Sequence, residues 1–264
     1  ENDIYPDIDD TAAVLIALAR TNVPEPRKAI ALERGMHWLR GMQSANGGWG
    51  AFDKDNTRRI VNEIPFCDFG EVIDPPSEDV TAHAVEALSM LGKRESAAVR
   101  SALRYLRDEQ RIDGSWFGRW GVNHIYGTGS VLPALAAAGE DMSQPYVRRA
   151  VNWLLARQND DGGWGESCAS YVDPSSIGRG PSTASQTAWA LLGLLATDGA
   201  SRDEMVDAVE GGAAYLIGTQ EEDGQWQEPK FTGTGFPGDF YIKYHLYRNY
   251  WPLLALGRYA RRVS

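Results

Sequence analysis

The sequence predicts an all-α protein with the fold of an α/α barrel (toroid), in which inner and outer helices alternate. Two observations lead to this prediction. A twelve-residue pattern recurs four times along the 264 residues, and helices with smaller, more apolar faces are predicted between the copies. No segment of useful length alternates apolar and polar residues as a strand does, and the loop 228–241, rich in Gly and aromatics, is expected to be irregular.

The recurring pattern reads aromatic, Leu, three residues, Gln, three residues, Gly, one residue, Trp. Each copy predicts the last turn of an outer helix, which the Gly-containing stretch then ends. The Gln is expected to bond the backbone at the next helix end, and the Trp to bury a large area, so both are structural staples. The copies are WLRGMQSANGGW (38–49), YLRDEQRIDGSW (105–116), WLLARQNDDGGW (153–164) and YLIGTQEEDGQW (215–226).

The inner helices are predicted in the segments between these copies. Three of them carry the dipeptide Thr-Ala at a matching point, beginning at Thr11, Thr81 and Thr187. Pro133 and Pro252 predict kinks or late starts. Because the two helix classes alternate four to five times, we expect two concentric rings, one of them facing a central cavity. The predicted inner helices are 9–19, 78–91, 126–139, 184–196 and 244–259.

Composition excludes several classes of protein. The net charge of −10 argues against nucleic acid as a partner. Two cysteines, Cys67 and Cys168, are too few for a disulfide framework and favour a reducing compartment. No signal peptide is visible and no apolar run reaches the roughly 20 residues of a membrane span, so any membrane contact is expected to be peripheral. The repeats favour a single domain over residues 1–264. The start at Glu1, without Met, suggests a piece cut from something longer.

The stretch YPDIDDTAAV, residues 5–14, crowds three acids before an apolar run. A helix N-terminus favours acidic side chains, so Asp7 could cap the helix and Asp10 could complete a capping box. Asp9 has no capping role. Like-charge repulsion tends to keep one acid of such a group protonated, which makes the cluster a candidate proton donor.

Aligning the inner helices on Thr-Ala places Asp79 at the position of Asp9 and His83 one turn deeper. Asp79 and His83 are four residues apart and share a helical face. By themselves they fit a helix-start acid and a core histidine. Beside a carboxylate cluster on a neighbouring inner helix, a histidine would orient a carboxylic acid and stabilise the carboxylate left after proton loss.

These motifs resemble those of the squalene–hopene cyclases. DIDDTA is similar to the family's Asp-x-Asp-Asp-Thr-Ala motif, and the four repeats are similar to its QW motifs. The segments 65–83, 113–129 and 232–259 resemble the family nearly throughout. The resemblance covers essentially the whole chain and corresponds to the C-terminal catalytic part of a two-domain protein more than twice as long.

The resemblance implies class II terpene cyclisation, in which a carboxylic acid protonates the terminal double bond of squalene and ring closures yield hopene or hopanol. It implies no metal and no organic cofactor. Asp9 matches the proton donor, and Asp7 and Asp10 match acids that hold the site and help to reprotonate it. His83 matches the histidine bonded to the donor, and Asp79 an acid that orders nearby polar groups.

The resemblance also implies an aromatic cavity and a substrate channel. Aromatic faces suit a carbocation because they stabilise positive charge without trapping it. Phe66 and Cys67 match the narrow gate of the channel. The matched cavity aromatics are Phe52, Trp120, Tyr126, Phe236, Phe240, Tyr244 and Tyr247.

Further expectations concern partners. The resemblance implies a protein that is peripheral (monotopic) on the cytoplasmic side of a bacterial membrane, and a homodimer stays open. The N-terminal domain is expected to be missing here, so this chain alone is expected not to cyclise squalene. Because the chain starts directly on the Asp helix, the inner ring is expected to be one helix short and to leave an apolar flank exposed.

Three alternatives stay open at this point. A protein prenyltransferase β-subunit would hold zinc, with Cys67, Asp68 and His83 as ligands, although their spacing does not match a compact site. A glycoside hydrolase would use Asp9 and Asp79 as opposed carboxylates. A non-catalytic scaffold would use the acids only as helix caps.

Overall fold

A computed structural model describes residues 6–22, 26–58, 60, 73–197 and 202–263. Within these residues the chain forms nine α-helices, two short 3-10 helices (Cys168–Tyr171 and Pro174–Ser176) and one two-stranded sheet. The all-α prediction is therefore confirmed. The helices are α1 (Ile8–Arg20), α2 (Pro26–Met42), α3 (Glu78–Met90), α4 (Ala97–Asp108), α5 (His124–Ala138), α6 (Pro145–Leu155), α7 (Ala184–Leu195), α8 (Arg202–Gly218) and α9 (Tyr247–Val263).

The predicted inner helices correspond to α1, α3, α5, α7 and α9. The first four agree with the prediction to within two residues at either end. The start of α9 differs: the helix begins at Tyr247, three residues after the predicted start, and continues to Val263. Pro133 and Pro252 both lie inside helices, so neither marks a helix start.

Each copy of the repeat begins within the last turns of an outer helix, as predicted. The glycine of the pattern has a positive φ in every copy, 96° at Gly47, 98° at Gly114, 83° at Gly162 and 83° at Gly224. This backbone conformation is left-handed, and side chains with a Cβ rarely adopt it. Glycine is therefore required at this position, which explains why the pattern keeps it.

The glutamines of the repeat act as staples. Gln43 donates through Nε2 to the Gly47 carbonyl at 2.8 Å and to the Ala98 carbonyl in α4 at 2.9 Å. Gln110 bonds Gly114 and Tyr146 in the same way, and Gln158 bonds Gly162 and Ala208. The prediction that the Gln side chains bond backbone groups of the next helix is confirmed for these three copies.

The tryptophans of the repeat are buried, and Trp49 and Trp164 bond both the outer helix before them and the inner helix after them. Trp49, Trp116, Trp164 and Trp226 are at most 1% exposed. The indole N–H of Trp49, Trp164 and Trp226 donates to the Leu carbonyl of the same copy at 2.7–2.8 Å. In three copies the backbone N–H of the Trp donates to a Thr hydroxyl near the start of an inner helix. The pairs are Trp49 with Thr81, Trp116 with Thr128 and Trp164 with Thr187.

The chain divides into two compact units. The first contains residues 1–109 and 134–140, and the second contains residues 110–133 and 141–264. In the first unit α3 packs against α1 and α4, and α1 packs against α2. In the second unit α7 packs against α6, α8 and α9. The prediction of one domain over residues 1–264 stays a prediction.

Part of the segment predicted as an irregular loop forms a hairpin instead. Strand β1 (Gly233–Phe236) pairs antiparallel with β2 (Phe240–Ile242), with a register shift between Thr234 and Phe236. A Cβ on Gly235 would lie 2.6 Å from the Phe240 ring, and one on Gly233 would lie 2.6 Å from the Tyr244 ring. The glycines therefore make room for aromatic rings. Because glycine has no side chain, the sequence of the strand lacks the alternating pattern by which a strand is predicted.

Apolar side chains are exposed on the first and last helices. Val14 on α1 is 56% exposed and Leu253 on α9 is 59% exposed. An apolar flank was expected from the sequence. Among the described residues, no helix is both long enough and apolar enough to cross a membrane.

Candidate active site

Asp7 fixes the start of α1. Its carboxylate accepts the backbone N–H of Asp10 at 2.6 Å, which is the bond of a helix N-cap. The Thr11 hydroxyl donates to the Asp7 carbonyl at 2.6 Å, and the Ile8 N–H donates to the Ala51 carbonyl at 2.7 Å. The capping role expected for Asp7 is therefore present, and the two acids that follow it project from a fixed helix end.

The structure brings Asp9 and His83 together. Helix α1 packs against α3 in the first unit, and the Nδ1 atom of His83 contacts the Oδ1 atom of Asp9. The side chain of Asp9 is 29% exposed and that of His83 is 17% exposed. The pair is thus largely shielded from water while Asp9 keeps an open edge.

The surroundings of His83 favour its charged form. Burial by itself lowers the pKa of the imidazole, but the adjacent Asp9 carboxylate outweighs burial, with smaller contributions from Asp79 and Glu86, and raises the pKa to about 9. His83 is therefore an imidazolium at neutral pH. A cation in this place stabilises a carboxylate on Asp9.

Asp7 holds a proton more readily than an ordinary aspartate. The pKa of Asp7 is raised to about 6, chiefly by burial and in addition by the charges of Asp10 and Asp9, while the hydrogen bond from the Asp10 N–H opposes the rise. Near neutral pH a fraction of Asp7 is thus protonated two residues from Asp9. This agrees with the like-charge argument made from the sequence, although the group most affected is Asp7.

Asp79 lies one turn before His83 on α3 and is 1% exposed. Its Oδ1 atom accepts a hydrogen bond from the Ser77 hydroxyl at 2.6 Å, and the Ser77 N–H donates to the Trp49 carbonyl at 3.0 Å. Asp79 is therefore a buried carboxyl group one turn before the histidine. Because it is closed to solvent, it does not fit the glycoside-hydrolase alternative, which needs two carboxylates open to a sugar.

The gate residues expected from the sequence, Phe66 and Cys67, lie outside the described residues, as does Asp68 of the zinc alternative. Within the described ranges, no group of three or more His, Cys, Asp or Glu side chains is placed to hold a metal ion. His83, the third residue of that alternative, contacts Asp9. Phe52 is half-buried in the first unit, and its N–H donates to Asp74 Oδ2 at 2.5 Å.

Several predicted aromatics gather in the second unit. Tyr126 is 2% exposed, and its ring lies 4.7 Å from the ring of Trp189. Trp189 meets Tyr247 at 5.9 Å, and Tyr247 stacks on Tyr244 at 4.6 Å. Trp189 was not predicted, although it follows the Thr-Ala of its inner helix directly and this position was available as a signal.

Trp120 and Phe236 lie beside a buried arginine that the sequence did not indicate. The guanidinium carbon of Arg119 is 4.5 Å from the centre of the Trp120 ring and 5.9 Å from that of Phe236. Phe240 packs over Gly235 but is 54% exposed, so it contributes less to any enclosed surface in this structure.

A second polar cluster was also missed. Ser115, which is fully buried, bonds His124 Nδ1 at 2.9 Å and Asp113 Oδ1 at 2.8 Å. Burial and the charge of Arg111 lower the pKa of His124 to about 4, against the opposing charge of Asp113. His124 is 1% exposed and Ser115 is fully buried, so these two side chains are closed to a substrate.

Comparisons with known proteins show the family of this chain. Residues 1–261 match the family model described as squalene-hopene cyclase C-terminal domain. The squalene–hopene cyclase of Alicyclobacillus acidocaldarius is 54% identical, over 100% of this chain and 42% of that protein. A probable squalene–hopene cyclase of Sinorhizobium fredii is 49% identical, over 98% and 40%. This chain thus spans about two fifths of the length of these relatives.

A solved structure shares the fold. A type II terpene cyclase from Scytonema, in complex with geranylgeranyl dihydroxybenzoate, matches with a TM-score of 0.62 at 24% identity, over 88% of this chain and 60% of that one. At this identity the likeness concerns the fold, and it places the chain in the α/α-barrel class predicted from the sequence.

Proposed function

Because this chain belongs to the squalene–hopene cyclase family, we propose that it carries the acid that starts class II cyclisation of squalene. The observation that carries the proposal is the contact between Asp9 and His83. An acid held by an imidazolium, on a fixed helix end and with an open edge, is suited to giving a proton to an apolar substrate.

The first step transfers one proton. The carboxylic acid of Asp9 gives its proton to the terminal double bond, the π electrons form the new C–H bond, and a tertiary carbocation remains. Asp9 becomes a carboxylate, which the His83 imidazolium stabilises. The gain is largest once the proton has left, so the interaction favours the transition state over the ground state.

In the later steps the substrate loses the proton that it gained in the first step. Each ring closure moves the positive charge along the chain, and the last cation loses a proton to give hopene or adds water and then loses a proton to give hopanol. Asp9 is reloaded from the neighbouring acids, and the raised pKa of Asp7 supports a role as the nearest source. Because the overall reaction is an isomerisation or hydration, the chemistry itself requires no redox cofactor.

The aromatic cluster of the second unit is proposed to stabilise the moving charge. Each contact between a cation and an aromatic face is worth about 0.5–2 kcal/mol. Tyr244 and Tyr247 provide such faces, and Trp189 connects Tyr247 to the buried ring of Tyr126. A carbocation next to these rings is stabilised without a nucleophile that would end the cascade.

We further propose the setting of this activity from the family. The complete enzyme would contain a preceding domain and bind the cytoplasmic face of the membrane as a peripheral protein. It could also form a homodimer. The length of the relatives, of which this chain spans about two fifths, supports the need for that further domain. We therefore expect the chain alone not to cyclise squalene.

The test places this chain in the Alicyclobacillus relative, in exchange for the matching 42% of that protein. The fusion, the same fusion with Asp9→Asn, and the chain alone are each given squalene in mild detergent, and the extracted products are identified by mass spectrometry. We expect a pentacyclic triterpene from the fusion and at least a 100-fold loss with Asp9→Asn, because a general acid contributes about 10²–10⁴-fold.

Asp108→Asn is the matched control, because Asp108 is an exposed acid at the end of α4. It should leave the product yield unchanged. Circular dichroism checks that both variants are folded. Undiminished yield from folded Asp9→Asn would contradict the proposed proton donor, and pentacyclic product from the chain alone would contradict the need for a further domain.

A further inference from the structure

Residues 118–122 form a rigid extension of the hairpin in the second unit. The Val122 N–H donates to the Thr232 carbonyl at 2.9 Å, and the Thr234 N–H donates to the Trp120 carbonyl at 3.1 Å. The Tyr171 hydroxyl lies 2.7 Å from the Gly118 carbonyl and 2.9 Å from the Gly121 carbonyl. The backbone that carries Arg119 and Trp120 is therefore fixed on both sides.

Arg119 is buried in this segment, with 5% of its surface exposed. Its Nη1 atom donates to the Gly235 carbonyl of β1 at 2.8 Å, and its guanidinium lies over Trp120 and beside Phe236. Burying a guanidinium is unfavourable unless hydrogen bonds and aromatic faces compensate it. An apolar side chain would fill the same space without this penalty, so the charge itself calls for an explanation.

The position of the Arg119 charge explains why a charged side chain is buried here. Trp120 and Phe236 are aromatics of the kind that would stabilise a carbocation, yet each already lies within 6 Å of a fixed cation. Two positive charges repel, and the repulsion is stronger in a protein interior than in water. A ring that contacts the guanidinium therefore attracts a second cation less than the mutually stacked rings of Tyr244 and Tyr247 do.

We propose that Arg119 is a positioning residue that fixes Trp120 and Phe236 as a wall and directs the positive charge of the reacting hydrocarbon away from that wall. In this way Arg119 sets where the cascade ends and which triterpene is released. The inference rests on the proposed cyclisation and deepens it, because it assigns product specificity to a charge that does not itself touch the reacting atoms.

The test compares two variants in the fusion with the Alicyclobacillus relative, Arg119→Gln and Arg119→Lys. Both new side chains can donate a hydrogen bond to the Gly235 carbonyl, but lysine alone keeps the charge. We expect Arg119→Gln to change the ratio of the main triterpene to other cyclised products about tenfold or more, the size expected when charge repulsion at this range is removed. Arg119→Lys should keep the ratio within about threefold, because the charge remains.

Tyr171→Phe is the control for the position of the backbone, because it removes the hydroxyl that holds the same segment and changes no charge. It should change the product ratio less than Arg119→Gln does, because Arg119 and its charge remain. An unchanged ratio with Arg119→Gln, or equal changes with both Arg119 variants, would overturn the inference while leaving the proposed function intact. A fusion with the unaltered chain that makes no triterpene would instead contradict the proposed function, and the role of Arg119 would be withdrawn with it.

Discussion

The Nδ1 atom of His83 contacts the Oδ1 atom of Asp9, so the side chains proposed to hold the catalytic proton also join α3 to α1. The surroundings raise the pKa of His83 to about 9, and the contact is therefore an ion pair when Asp9 is ionised. The same contact serves the fold and the reaction. The protonation of these two side chains must then affect both the stability of the chain and its activity.

The stability of the chain should fall in alkaline solution because of His83. The folded-state pKa of about 9 lies above the ordinary value of 6.5, so this stabilisation is complete below pH 6.5 and is lost as the pH rises through 9. The loss is about 1–3 kcal/mol, reduced by the partial exposure of the pair. Urea unfolding at pH 6.5 and pH 9.5 measures it, and His83→Gln should flatten the change.

His37→Gln is the control, because His37 is exposed on α2. This variant should keep the pH dependence of the unaltered chain. If His83→Gln shows the same alkaline loss as the unaltered chain, the ion pair with Asp9 does not form in solution.

Asp7 should limit stability at neutral pH. Its folded-state pKa of about 6 lies above the ordinary value of 3.8, so the folded chain binds this proton more tightly and the free energy of unfolding falls as the pH rises from 3.8 to 6. Asp7→Asn keeps a cap for the Asp10 N–H and removes the charge. We expect it to be about 1 kcal/mol more stable at pH 7, with a smaller gain at pH 4.

Comparing Asp7→Asn with Asp7→Ala separates the effect of the cap on stability from the effect of the charge. Asp7→Ala removes both, and loss of an N-cap costs about 0.5–2 kcal/mol, so it should be less stable than Asp7→Asn in urea unfolding at pH 7. Equal destabilisation by both variants would show that the Asp7 carboxylate is not under strain from its neighbours. In the fusion, Asp7→Asn should also slow turnover, because it removes a source for reloading Asp9.

The contact between Asp9 and His83 was expected from the family resemblance, and the structure shows it. Alignment on Thr-Ala by itself places the acid and the histidine at successive turns of equivalent inner helices and does not determine the distance between them. The structure adds why this dipeptide recurs: the Thr81 hydroxyl accepts the N–H of Trp49 and so ties the inner helix to the repeat before it. The roles of the two residues in catalysis stay proposals.

Arg119 and the hairpin could not be anticipated in this way. Arg119 bonds the Gly235 carbonyl, 116 residues further along the chain, and no helical or strand period links two such positions. In β1 the glycines interrupt the alternation of apolar and polar side chains that predicts a strand. They leave space for the rings of Phe240 and Tyr244. Contacts of this kind depend on the tertiary fold and become visible only in the structure.

His124 should destabilise the chain in acid, opposite in sign to His83. Its folded-state pKa of about 4 lies below the ordinary value of 6.5, so its contribution is complete above pH 6.5 and is lost as the pH falls through 4. The loss is up to about 3 kcal/mol, because the side chain is buried. His124→Asn should flatten the acid limb of stability between pH 6.5 and 4, measured by urea unfolding.

His245→Gln serves as the comparison, because His245 is exposed before α9. Its acid limb should match that of the unaltered chain. A His124→Asn variant that loses stability in acid as steeply as the unaltered chain would mean that His124 takes up its proton in the folded state without penalty.

The staples of the repeat should differ in strength from copy to copy. Gln158 bonds both the Gly162 carbonyl of its own copy and the Ala208 carbonyl of α8, at 2.8 Å each. Gln220 bonds the Gly224 carbonyl at 2.9 Å and is exposed. A net hydrogen bond contributes about 0.5–1.5 kcal/mol, and a buried carbonyl left without its donor costs about 1–3 kcal/mol. Gln158→Ala should therefore lower the free energy of unfolding by about 2 kcal/mol.

Gln220→Ala occupies the equivalent place in the pattern and is the matched control. Water can replace its amide at the exposed Gly224 carbonyl, so we expect a loss of at most about 0.5 kcal/mol. Urea unfolding at pH 7 compares the two variants directly. Equal losses would mean that the bond to Gly162 or Gly224, which both copies share, accounts for the stabilisation. A larger loss in Gln158→Ala assigns the difference to the bond that reaches α8, and so to the linking of successive helices.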